Sequence, residues 1–479
     1  MRTSTSAALA AALLTATLAP LAATTPASAA PAKYADDFNG DGYRDLTTAA
    51  PGATVGGKTY AGAVVVNYGS PTGLTTARRT VVSQDSTGVP GAAEKDDRFG
   101  NALASGDLNN DGYADLVVGT ELEDADTDAD GGAVTVVWGG KNGLSGGTTV
   151  SDPARSAHDE YGKSLAVGDF DGDGRADLAV GSTGKDVWVH RGGFTKASGP
   201  ATRYRLDTDL YPGSGIYGAE HLAAGDVNGD GTGDLVISGQ RATDYEDGTF
   251  VYLGAGTGLT LQTFLRSEAW EGSAVGDVNR DGYDDIVTGA APGHVRADDG
   301  GSVSLWLGSA SGARTSAHQT ITQDTPGVPG TDEPDDWFGT SLSLADINGD
   351  GYDDLAVGAE FEDLGAADLA GGVTVLRGSA AGLNTASGAQ AVTQDTAGVP
   401  GTAEDSDRFG WSLRLADVNA DGRADLFVGA DGENDADGGV WALRGSASGV
   451  TATGSLSWGP GSVGVSTAGY PRLGHVMLS

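Results

Sequence analysis

The chain is 479 residues long and carries 28 Lys and Arg against 66 Asp and Glu, a formal charge of −38. A field of that sign repels nucleic acid and anionic lipid and attracts cations, so neither nucleic acid nor a lipid surface is an expected partner. Hydrophobic content of 39% excludes a disordered acidic chain, and 79 glycines with only 7% aromatics point to short strands and tight turns rather than long helices.

Residues 1–29 read as a secretory signal peptide. Arg2 supplies a positive start, Ala7 to Leu21 a largely apolar stretch, and Ala27-Ser28-Ala29 a small-residue cleavage pattern. The mature chain, 30–479, is expected to be secreted, extracellular and freely soluble. A membrane span needs roughly 20 strongly apolar residues, whereas this leader is Ala/Thr-rich with Pro20 and Pro26 inside or beside it. With no cysteine anywhere, disulfides cannot brace the mature chain.

Beyond the leader, one nine-residue acidic string occurs seven times, starting at Asp37, Asp107, Asp169, Asp226, Asp277, Asp346 and Asp417. The intervals of 51 to 71 residues hold four short strands with their loops, the size of a propeller blade. Each unit reads as an aromatic-glycine strand, the acidic loop, an apolar strand, a Val-rich strand ending in Gly, and a Thr-rich strand. The first is marked by Phe99-Gly100, Tyr161-Gly162, Tyr217-Gly218, Phe338-Gly339 and Phe409-Gly410. Alternation such as Val303-Ser304-Leu305-Trp306-Leu307 is the period of a half-buried strand. Unit one lacks an aromatic-glycine strand, and the chain ends on Arg472-Leu473-Gly474-His475-Val476-Met477-Leu478, which is similar to Arg408-Phe409-Gly410-Trp411-Ser412-Leu413 without a following loop. Placed in unit one, this segment closes the ring and leaves no open edge. The predicted fold is all-β: a seven-bladed β-propeller of four-stranded antiparallel blades over 30–479, closed by the C-terminal strand pairing into blade one.

The acidic loop, D-x-[ND]-x-D-G-x-x-D, sets oxygen donors at the spacing a hard cation needs. In blade one the candidate ligands are Asp37, Asn39, Asp41, the Tyr43 carbonyl and Asp45; in blade two Asp107, Asn109, Asp111, Tyr113 and Asp115. Blade three offers Asp169, Asp171, Asp173, Arg175 and Asp177, and blade four Asp226, Asn228, Asp230, Thr232 and Asp234. Blade five offers Asp277, Asn279, Asp281, Tyr283 and Asp285, blade six Asp346, Asn348, Asp350, Tyr352 and Asp354, and blade seven Asp417, Asn419, Asp421, Arg423 and Asp425. Positions 1, 3 and 5 converge if the chain turns at the position-6 glycine, position 7 gives only its carbonyl, and the position-9 carboxylate closes the shell. Because position 7 acts through its main chain, its side chain is expected to vary freely. The loop is too short for an EF-hand and is flanked by strands rather than helices. Calcium is the expected ion, up to seven per chain, which would move the formal charge from −38 to −24. At a free concentration roughly ten times the dissociation constant, each site adds about 1.4 kcal/mol and seven independent sites on the order of 10.

The combination of Phe-Gly strand, calcium loop and Gly-Ala-Pro-like turn resembles the FG-GAP repeat of integrin α-subunit N-terminal propellers and their bacterial secreted relatives. The resemblance implies a seven-bladed ring, calcium loops that brace single blades, and partners bound on a face of inter-strand loops. The turn itself departs from the pattern, being close only at Ala50-Pro51 and Gly289-Ala290-Ala291-Pro292, while Gly358-Ala359-Glu360 and Gly429-Ala430-Asp431 stand elsewhere.

Three inserts, starting at Gln84-Asp85, Gln323-Asp324 and Gln394-Asp395, share a Gly-Val-Pro-Gly core and an acidic run before the aromatic-glycine strand. They are expected to pack against their neighbours, the other reading being a projecting binding face. Acidic turns such as Glu121-Leu122-Glu123-Asp124 read as solvated surface, with extra cations or a basic ligand as the alternative. No G-x-S-x-G elbow, H-E-x-x-H helix or nucleophilic cysteine occurs, so no catalytic residue is assigned. The expected function is a monomeric, secreted, calcium-binding module for adhesion to a protein or glycan. The alternative is an extracellular hydrolase or lyase acting on polysaccharide or phospholipid with a site outside the loops.

Overall fold

The computed structural model describes residues 1, 31–124, 128–213, 217–267, 272–290 and 300–478. The leader over 1–29 lies outside them apart from its first residue, as do the Ala291-Pro292 half of one Gly-Ala-Pro-like turn and His294. Seven sheets of four strands form, each antiparallel throughout. In blade two, for example, Ala102–Gly106, Asp115–Thr120, Ala133–Trp138 and Ser145–Val150 follow one another from the ring's centre outward. The second and third strands are buried on both faces, since each blade has a neighbour on either side.

The ring closes as the repeat pattern requires. Val476–Met477 pairs with Leu46–Ala50, bringing Thr48 opposite Met477 and Ala49 opposite Val476, so blade one draws its innermost strand from the far end of the chain. Its neighbour holds it: Ser412 Oγ donates to Gly474 O at 2.6 Å. Buried Asp36 adds a second seam by pairing with Arg414 of blade seven at 2.9 Å and with Arg44 at 2.8 Å.

The hydrophobic core is not one body but seven, each wedged at a blade junction. Every such cluster contains the apolar residue at position 2 of an acidic loop: Phe38, Leu108, Phe170, Val227, Val278, Ile347 and Val418. Phe99, Tyr161, Phe338 and Phe409, the aromatics of the aromatic-glycine pairs, fill the same junctions and are fully buried. The paired glycines serve close approach between blades, because a Cβ at Gly119 would lie 2.1 Å from Gly162 O and one at Gly358 2.2 Å from Gly410 O.

One expectation changes in detail. Phe338-Gly339 and Phe409-Gly410 begin their strands with a bulge, but Phe99-Gly100 and Tyr161-Gly162 form a turn just before theirs. The three Gly-Val-Pro-Gly inserts pack as expected, with Val89, Val328 and Val399 buried in junction clusters.

Leu473, wholly buried beside Val463 and Trp458, is a test of the closing segment. Leu473→Ala is expected to cost about 2–5 kcal/mol, read from the shift in denaturant midpoint, while exposed Thr467→Ala in the same segment stays within about 0.5 kcal/mol.

Candidate metal centre

Six of the acidic loops join an innermost strand to the second strand of their blade and that of blade one enters its second strand at the same end, so all seven lie on one face of the ring. They are built alike. The position-1 carboxylate accepts the N–H of position 5 and of the position-6 glycine, as Asp37 does from Asp41 at 3.1 Å and Gly42 at 2.8 Å. The same pair of bonds recurs at Asp107, Asp169, Asp226, Asp277, Asp346 and Asp417. The position-5 aspartate in turn accepts the N–H of position 7 in every loop. A carboxylate oxygen has two lone-pair sites, so each such bond fixes the group while leaving capacity for a cation.

Position 6 is glycine because its backbone is left-handed, with φ between 82° and 89° in Gly42, Gly112, Gly174, Gly231, Gly282, Gly351 and Gly422. A Cβ at Gly42 or Gly174 would meet nothing within 4 Å, so conformation and not space sets the requirement. Position 4 is also left-handed, which the sequence reading missed: Gly40, Gly172, Gly229 and Gly349 stand there beside Asn110, Arg280 and Ala420. Glycine at four of the seven was the available signal.

The position-9 aspartate is the buried member. One oxygen accepts the N–H of the glycine that ends the third strand, Gly69 for Asp45 at 2.9 Å and Gly139 for Asp115 at 2.9 Å, and this bond is present in all seven blades. In blades one, two, three, four and six the other oxygen accepts the position-2 N–H, as from Phe38 to Asp45 at 3.0 Å. Burial, offset in part by these bonds and reinforced by the loop's other carboxylates, pushes Asp45 up to about 8 and Asp115, Asp177, Asp285 and Asp354 to about 7. Asp234 and Asp425 rise to about 6. A cation in the loop is the partner that would keep these groups ionised at neutral pH.

The donors come together most visibly in blade three, the one loop with a carboxylate at position 3. Asp169, Asp171 and Asp177 each place an oxygen within 4.8 Å of the others, an arrangement that can hold a metal ion. In four other loops the position-3 amide oxygen, of Asn39, Asn228, Asn279 and Asn419, turns toward the position-5 N–H at 2.9 Å. Asn348 differs, donating to Asp354 at 3.2 Å, and both polar side-chain atoms of Asn109 are buried with no partner. Basic groups reach some loops from outside: Arg78 pairs with Asp41 at 3.0 Å, Lys196 with Asp111 at 2.9 Å and Arg191 with Asp171 at 2.6 Å.

The residue at position 7 varies in type, and in four blades its side chain makes a contact. It covers position 4 of the preceding loop, Tyr113 against Gly40, Thr232 against Gly172, Tyr283 against Gly229 and Arg423 against Gly349. The main chain continues the linkage. The position-1 carbonyl accepts the position-8 N–H of the next blade, as in Ala114 to Asp37 at 3.0 Å and Ala424 to Asp346 at 2.8 Å. Phe194 to Leu108 and Ser70 to Val418, both at 3.1 Å, serve the junctions from blade two to three and from seven to one. Each loop is thus bonded to its neighbour around the ring.

The opposite face holds the mouth of the central channel, lined by all seven innermost strands. A cleft of about 260 Å³ opens beside it, lined by Tyr60, Arg98, Asn101, Arg472 and His475 among others. His475 Nδ1 lies 2.8 Å from buried Asp431, which Arg408 and Arg472 also approach at 3.8 and 3.7 Å, and Trp411 stacks on the His475 ring at 5.0 Å. Only the fold brings His475 to this group.

This repeated blade with its aspartate loop is matched by the FG-GAP repeat over residues 35–66, 99–137, 161–197, 338–376 and 409–443, and by the FG-GAP-like repeat over 226–288. The chain belongs to the FG-GAP repeat family. It is similar to phosphatidylinositol-glycan-specific phospholipase D of Bos taurus, 34% identical over 147 residues that make up 30% of this chain and 17% of that enzyme. It is similar to integrin alpha-8 of Mus musculus, 30% identical over 59% of this chain and 27% of the integrin, and to integrin alpha-PS5 of Drosophila melanogaster, 35% identical over 30% and 15%. The chain therefore spans less than a third of the length of these relatives. A mutant of AofleA from Arthrobotrys oligospora aligns over 72% of this chain and 83% of its own at TM-score 0.38 and 13% identity, too slight a likeness to argue from. Among the described residues no helix is long and apolar enough to cross a membrane.

The position-9 aspartates give a pH test of the calcium-free protein. Their folded values lie above the ordinary 3.8, so their contribution to stability is complete in acid and is lost as pH rises through about 6 to 8. In chelator, the melting temperature from scanning calorimetry should fall between about pH 5 and pH 8. A melting temperature that climbs across that window would contradict the assignment.

Proposed function

We propose that the protein is a secreted, calcium-braced binding module that holds a protein or glycan partner over the channel mouth, on the face opposite the aspartate loops. The observation that carries the reading is the division of labour between faces. All seven loops put their carboxylates on one side and link blade to blade, so calcium there serves rigidity. The other side offers a cleft with guanidinium groups of Arg98 and Arg472, the His475 imidazole and the Trp411 ring. Rigid scaffolds present partners with loops in this way, and aromatic and arginine side chains supply most of the energy at such surfaces. The leader supports export, and the similarity to integrin alpha-8 and integrin alpha-PS5 supports adhesion.

Similarity to a phospholipase D supports the second reading, an extracellular hydrolase or lyase acting on phospholipid or polysaccharide. Glycan and protein arrays run beside matched cleavage assays separate the two. The expected result is selective retention without product, weakened about 5- to 100-fold in Trp411→Ala or Arg472→Ala, as for anchors worth 1–3 kcal/mol. Product formed from a phospholipid or polysaccharide by the calcium-loaded chain would replace the module with the enzyme.

A further inference from the structure

The three inserts end in a second kind of carboxylate cluster, on the face away from the aspartate loops. Each insert enters one blade, two, six or seven, and meets the turn between that blade's second and third strands. In blade two, Gln84 Nε2 donates to Glu123 Oε2 at 2.6 Å, and the Asp97 carboxylate accepts the Glu94 N–H at 2.6 Å. In blade six, Gln323 donates to Glu362 at 2.6 Å and Asp336 accepts from Glu333 at 2.9 Å. In blade seven, Gln394 donates to Glu433 at 2.7 Å and Asp407 accepts from Glu404 at 2.8 Å. The glutamine and its glutamate are 39 residues apart in all three.

An acidic cluster alone would carry nothing, but each glutamine has a buried oxygen with no hydrogen-bond partner. Gln84, Gln323 and Gln394 are 5%, 4% and 1% exposed, and Oε1 of each is unpartnered. The amide head sits in the cluster, since its nitrogen bonds the glutamate there. The aspartates are equally enclosed, Asp97 and Asp336 at 3% and Asp407 at 2%. Among the described residues no ion pair reaches these aspartates or Glu123, Glu362 and Glu433. Buried aspartates beside half-buried glutamates, with no basic partner, favour a bound proton or cation. A proton on the glutamate can reach the amide oxygen once the amide rotates, but it leaves the charge of the aspartate uncompensated. A hard divalent ion uses that oxygen, because a rotation of the amide exchanges its nitrogen for its oxygen and turns the carboxylate from an acceptor of the amide into a fellow ligand.

We infer that blades two, six and seven each hold a further divalent cation, calcium by its preference for oxygen donors, between the insert's glutamine and aspartate and the blade's glutamate. These ions pin the inserts to the blades on the partner-facing side, independently of the seven loops.

Bound calcium is counted by plasma mass spectrometry on the full mature chain, equilibrated at about millimolar calcium and then freed of unbound ion, and compared with the isosteric triple variant Glu123→Gln, Glu362→Gln, Glu433→Gln. The expected result is three fewer ions per chain in the variant, with a smaller calcium-dependent rise in melting temperature. An unchanged ion count overturns the inference, and so does a variant more stable than the parent in chelator with no ion lost, the signature of shared protons. Should the triple variant fail to fold, Glu433→Gln alone is read with terbium. Trp441 lies against the blade-seven insert, its indole N–H donating to Pro400 O at 2.7 Å, and sensitises an ion placed there. Loss of that luminescence component on Glu433→Gln supports the site, and its persistence refutes it.

Discussion

Seven buried carboxylates, one at the ninth position of each acidic loop, govern the rest of the ring. Each ties the start of its loop, through the position-2 N–H in most blades, to the glycine that ends the third strand, so a single side chain fixes three consecutive strands of a blade. The position-2 residue anchored in this way is the one that enters the hydrophobic junction with the next blade. Charge, turn geometry and core packing therefore meet in one residue, and burial makes its ionised form costly without a cation. A chain with no disulfides has its cross-links here.

Much of this was legible in the sequence because the repeat is strict where geometry allows one solution. Glycine at position 6 marks a sharp turn, and the final Leu473-Gly474 announces the strand that blade one lacks. What escaped was whatever depends on contact between units. Position 7 varies among Tyr, Arg and Thr, which reads as indifference along the chain, yet four of these side chains, Tyr113, Thr232, Tyr283 and Arg423, cover the preceding loop. A flat surface under a glycine accepts several shapes, so packing there leaves no single residue type behind.

The opposite face was the less legible one for the same reason. Asp431 follows one strand of blade seven, Trp411 lies in another and His475 precedes the closing strand of blade one, and only ring closure sets them side by side. Likewise Gln394 and Glu433 are separated in sequence and meet because the insert folds back over its blade. The acidic turns could be seen in the sequence, but their enclosure could not, since burial of a short polar motif is decided by its neighbours in space.

Blade one also ties the whole molecule to a sequence of events. Its sheet stays incomplete until Val476–Met477 reaches Leu46–Ala50, the strand pairing most distant in sequence among the described residues, and such a contact forms late because the intervening chain must first be brought together. Until then the seam between the first and last blades exposes apolar side chains and unpaired main-chain groups to proteases and to other nascent chains. The quality of assembly is thereby registered at a single seam, the last to be zipped.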